Sequence, residues 1–123
     1  MARIVLTVIG VAYVILAVWC IARPTTTSQA VGFDLRPGPG QSEYLAVYGG
    51  LQLGLGLMFL WPWVRPEHAT LVLGACVLIH AAIIVCRSAG FLLFTGFTSM
   101  TYTLAAVEWA ILIIPGFALW RSS

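Results

Sequence analysis

The chain has 123 residues, is 61% hydrophobic and only 8% charged, and carries a formal net charge of +2, with a mean hydropathy of +1.01. A soluble domain is usually about 45–50% apolar and about 25% charged; six Arg and four acidic side chains cannot cover a water-exposed surface, so the chain is expected in a lipid bilayer. The same numbers exclude a nucleic-acid partner, which demands a basic stripe, and a disulfide-stapled miniprotein, for which three cysteines are too few.

A membrane-spanning helix needs about 20 mainly apolar residues to cross about 30 Å of hydrocarbon. The first candidate is residues 4–22, uncharged between Arg3 and Arg23. Its apolar run is longer than a signal peptide's and lacks a small-x-small cleavage site, so it reads as a retained helix. Residues 23–42 form the only long polar stretch, in which Arg36-Pro37-Gly38-Pro39-Gly40 predicts irregular backbone. The second helix is predicted over residues 44–63, with Glu43 as an acid capping its positive end. Within it Gly49, Gly50, Gly54 and Gly56 are small enough for close helix approach. The Gly50/Gly54 pair fits packing inside the chain or a seam between two copies. A tight turn, Arg65-Pro66-Glu67-His68, leads to a third helix over residues 69–86, ending at Arg87.

Residues 88–100 lie between spans yet hold Phe91, Leu92, Leu93, Phe94 and Phe97, which suits helix extension or an interfacial position. The fourth helix is predicted over residues 101–120, with Glu108 inside and Arg121 after it. Trp61, Trp63 and Trp120 gather at one side, as an aromatic belt does. The expected fold class is all-α, an integral membrane four-helix bundle forming one domain over residues 1–123. All basic residues are Arg and Asn is absent, which hints at a GC-rich bacterial genome. Arg residues divide three to three between the two sides. If Arg87 is paired inside the bundle the count becomes three to two, which places the termini in the cytoplasm.

Polar residues concentrate in one half of the bilayer. Counting about 1.5 Å per helical residue from the edge formed by the 1–2 and 3–4 loops, Tyr48 lies about 7 Å deep and Gln52 about 13 Å. His80 and Glu108 lie about 10 Å deep and Tyr13 about 15 Å, with Arg87 at the edge. An unpaired carboxylate facing lipid costs at least about 2.5–3.5 kcal/mol. Glu108 is therefore expected to face the bundle, either ion-paired with Arg87 or working as a proton-coupling or ligand-binding group. His80 fits an interhelical hydrogen bond or a ligand or proton site; Tyr48 and Gln52 fit packing hydrogen bonds. No metal site is predicted, since a lone His lacks the three protein ligands of catalytic zinc. Cys20, Cys76 and Cys86 form no C-x-x-C motif and read as free buried thiols.

The run Glu43-Tyr-Leu-Ala-Val-Tyr48-Gly49-Gly50-Leu-Gln-Leu-Gly54-Leu-Gly56, with Pro24, Arg87 and Glu108, resembles a family of small bacterial four-helix membrane proteins, domain of unknown function 4345. Two positions depart from its pattern: Tyr44-Leu45 stand where members often carry Arg, and Thr95-Gly96 where Asp-Gly is usual. The resemblance implies the fold and a pairing among the polar positions, and no reaction. The leading expectation is a non-enzymatic multi-pass protein that binds a small apolar, lipid-like or quinone-like molecule, or serves as accessory subunit of a larger membrane complex or homo-oligomer. The alternatives are a small proton-coupled exporter using Glu108, and a membrane enzyme with Glu108 and His80 as a proton-transfer pair. No catalytic motif and no particular cofactor is indicated.

Overall fold

A computed structural model describes all 123 residues. The protein is all-α, and four of its helices are long and apolar enough to cross a membrane: Ala2–Ala22, Pro39–Trp63, Pro66–Leu93 and Ser99–Ser122. It is a multi-pass membrane protein. Helix α1 covers Ala2–Ala22 and stops where Pro24 forces Arg23 out of the helical region. A short helix α2 (Pro24–Ala30) follows, with Pro at its first position. It was not expected from the polar composition of residues 23–42.

The second span departs from expectation at both ends and in its middle. It opens with α3 (Pro39–Tyr44), five residues earlier than the sequence suggests. Pro39 sits at the first helical position, where its missing N–H costs nothing because the first N–H groups of a helix have no partner within it. Gly38 turns the chain at φ 81°, and its N–H donates to Gln41 Oε1 at 3.2 Å. Glu43 consequently stands beyond the first turn, exposed, and does not cap the helix. A π-helical segment, Leu45–Leu51, interrupts the span before α4 (Gln52–Leu60) and a closing 3-10 turn, Trp61–Trp63.

A second 3-10 turn (Pro66–His68) leads into α5, Ala69–Leu93. Arg87 does not end this helix. It stands six residues, about 9 Å, before the last one, so the apolar residues 88–93 extend α5. The chain then runs extended at Phe94, turns at Gly96 (φ 80°), and enters α6 (Ser99–Ser122) after an extended Thr98. Pro115 lies buried inside α6, a position tolerated in membrane helices because neighbouring groups can satisfy the freed carbonyl.

The chain forms two compact units. In the unit Thr7–Leu60, α1 meets α4 at glycines. A Cβ on Gly56 would lie 2.8 Å from Val14 Cγ2 and 3.0 Å from the Gly10 carbonyl oxygen, and one on Gly10 would lie 2.9 Å from the Gly56 carbonyl oxygen. Phe59 fills the core beside them, fully buried. In the unit comprising Met1–Leu6 and Trp61–Ser123, α5 packs along α6. Helix α5 buries Val72, Leu73, Cys76, His80 and Ile84, a stripe at helical spacing. Its N-terminal end carries an aromatic cluster: the Arg3 guanidinium lies 4.5 Å over the Trp63 ring, and Trp61 Nε1–H donates to His68 Nδ1 at 3.0 Å. Helix α6 buries only Pro115 and Ala118 and leaves Ile113, Ile114 and Phe117 outward, as a lipid-facing helix does.

Candidate functional site

The chemistry-bearing residues of the second half converge on the α5–α6 contact. Arg87 donates from Nε to Glu108 Oε2 at 2.9 Å and from Nη2 to Oε1 at 2.5 Å, a two-point ion pair. The side chains are 31% and 15% exposed. Guanidinium and carboxylate are both planar, so two parallel bonds fix their orientation as well as their distance. The pair is possible because α5 continues past Arg87. Glu108 stands nine residues, about 13 Å, into α6, a depth comparable to that of Arg87 before the end of α5.

His80 is fully buried one turn from Cys76. Its Nδ1 lies 2.8 Å from the Cys76 carbonyl oxygen and 3.7 Å from the Cys76 sulfur. A carbonyl only accepts, so Nδ1 carries the proton in this arrangement. The Glu108 carboxylate lies within electrostatic reach of the imidazole. Arg87 and Glu108 are in direct contact, whereas these hydrogen-bond contacts of His80 are to Cys76 on its own helix.

Beside Arg87 an open groove of about 570 Å³ runs between the end of α5 and the start of α6. Ile83, Arg87, Phe91, Phe94, Phe97 and Thr101 are among its walls. One wall is a fixed aromatic cluster. Phe91 stacks on Tyr102 (centroids 5.5 Å, 5° between planes) and meets Phe97 edge to face at 4.8 Å. Phe94 stays 65% exposed, so the groove has a large apolar side chain with little to pack against. Arg87 is the only charged residue lining it. The sequence marked Phe91, Phe94 and Phe97 as misplaced apolar residues between spans but did not identify the groove they build. Thr101 carried no signal of its own.

The remaining candidates belong to the unit Thr7–Leu60. Tyr13 packs edge-on against Phe59 with centroids 5.4 Å apart. Tyr48 stacks on Tyr44 at 4.6 Å and meets Phe33 at 5.6 Å, while Gln52 is half-buried. Tyr44, which carried no expected role, is buried and donates its hydroxyl to Thr27 Oγ1 at 2.9 Å. Thr27 in turn donates to the Arg23 carbonyl at 2.8 Å. This relay ties α3 to α2 and reads as structure. Gly49 and Gly56 are buried at close contacts, whereas a Cβ on Gly50 or Gly54 would meet open space. None of the three thiols is in a disulfide; Cys20 and Cys76 are buried and Cys86 is exposed, contrary to expectation. Cys86 is exposed on the lining of the groove, beside Arg87.

No group of three or more His, Cys, Asp or Glu residues is close enough to hold a metal ion. No family model matches the chain, and neither a curated protein nor a solved structure matches it.

Proposed function

We propose that this protein is a non-enzymatic, multi-pass protein of the bacterial inner membrane that holds a small apolar or lipid-like molecule in the α5–α6 groove. One observation carries the reading: an open, aromatic-walled groove of about 570 Å³ with a single charged anchor, Arg87. Ligand pockets typically measure about 300–1,000 Å³ and combine apolar walls with a few fixed polar groups. The groove lies at the link between two membrane-length helices, where an amphiphile could enter from the bilayer interface. The two-point bond to Arg87 also favours this reading over a proton-coupled exporter, because it occupies both carboxylate oxygens of Glu108.

Membership of the domain of unknown function 4345 family belongs to the same proposal and rests on the Glu43-to-Gly56 run with Arg87 and Glu108. So does the orientation. With Arg87 held by Glu108, the Arg balance favours both termini in the cytoplasm. Native mass spectrometry of the chain, gently extracted from its host membrane, tests the binding reading. A discrete added mass of a few hundred daltons is expected. A chain that travels bare, or only with further polypeptides, would overturn it.

A further inference from the structure

We infer that the molecule this groove selects is neutral and planar and carries a carbonyl oxygen, the chemistry of a quinone ring with an apolar tail. The inference rests on the binding reading above and specifies its ligand. Charge decides first. Arg87 and Glu108 cancel each other through their two-point bond, so the lining is cationic at one atom group yet neutral as a pair. A carboxylate or phosphate headgroup would leave one uncompensated negative charge in an apolar setting, which is costly. A cationic headgroup would meet Arg87 directly. A neutral acceptor takes a charge-assisted hydrogen bond and adds no net charge. The Thr101 hydroxyl, on the same lining, is a second polar group able to donate.

Shape decides next. The Phe91–Phe97–Tyr102 cluster is already held in stacked and edge-to-face contacts, and Phe94, on the same groove, is largely exposed. Offset-stacked or edge-to-face aromatic pairs gain attraction beyond their buried area, which a flexible chain lacks. A single ring system with one tail suits the volume.

The test uses the full chain in maltoside detergent, titrated separately with decylubiquinone, oleate and decylbenzene, with bound mass read by native mass spectrometry. One decylubiquinone per chain is expected, at least about tenfold tighter than either other probe. Phe94→Ala, at an exposed loop position, is expected to weaken it by about tenfold through lost apolar burial. Thr101→Val serves as a second variant and is expected to weaken decylubiquinone alone. Oleate binding as tightly as decylubiquinone, and still sensitive to Phe94→Ala, would overturn the neutral-ligand inference while leaving the groove reading intact. Equal binding of decylbenzene would overturn the carbonyl requirement. Binding of every probe unaffected by Phe94→Ala, or no binding at all, would overturn both.

Discussion

At the scale of single residues, the Arg87–Glu108 pair sets the strongest constraint on the second half of the chain. Breaking a fully buried pair costs about 3–5 kcal/mol, and a solvent-exposed one about 0–1 kcal/mol. With side chains 31% and 15% exposed, the pair lies between these limits. Glu108→Gln is expected to destabilise the protein by about 1–3 kcal/mol, measured by thermal unfolding in detergent. The charge swap Arg87→Glu with Glu108→Arg should restore part of that loss; an unchanged melting temperature in Glu108→Gln would contradict the pairing. The Tyr44–Thr27–Arg23 relay makes a smaller claim. Tyr44→Phe removes the hydroxyl donor and should cost about 1 kcal/mol. In a Thr27→Val background the same change should cost less, since the two hydroxyls share one bond.

Helix packing depends on which glycines lack room for a methyl group. At Gly56 a Cβ would press on Val14 and on the α1 backbone, so Gly56→Ala must push the helices apart. Overpacking of this kind costs about 1–3 kcal/mol. At Gly54 nothing lies within 4 Å, and Gly54→Ala should be neutral or stabilising by up to about 1 kcal/mol through helix propensity. Denaturant titration of both variants in mixed micelles checks the contrast, and equal effects would contradict the α1–α4 contact. The glycine pattern alone could not separate these positions. Gly50 and Gly54 form the recognisable small-xxx-small pair, yet Gly56 makes the contact, and its counterpart Gly10 stands alone in α1. The π-helical segment has the same cause for being missed, since no propensity scale marks an inserted residue near Gly49 and Gly50. Pro39 was misread because a Pro-Gly repeat breaks a helix interior but suits a helix start.

For the whole molecule, the class was legible and the candidate site was only half so. Four long apolar runs announce four spans, and Arg87 at the edge of the third with Glu108 inside the fourth announces a pair. The groove depends on features with no local signature: α5 running past Arg87 to Leu93, the extended backbone at Phe94, and the positive φ of Gly96. Four spans also return the chain to its starting side, so reporters fused before Met1 and after Ser123 should give the same compartment signal. Opposite signals would remove one span from the count. The central claim, that the α5–α6 groove is a binding site, can be tested in the membrane itself. A photoreactive benzoylphenylalanine replaces Phe94 in one chain and Leu71, equally outward on α5, in another. After irradiation in host membranes and intact-mass analysis, position 94 should capture one discrete small molecule and position 71 a spread of bulk lipids. The same spread of bulk lipids at both positions would contradict the claim.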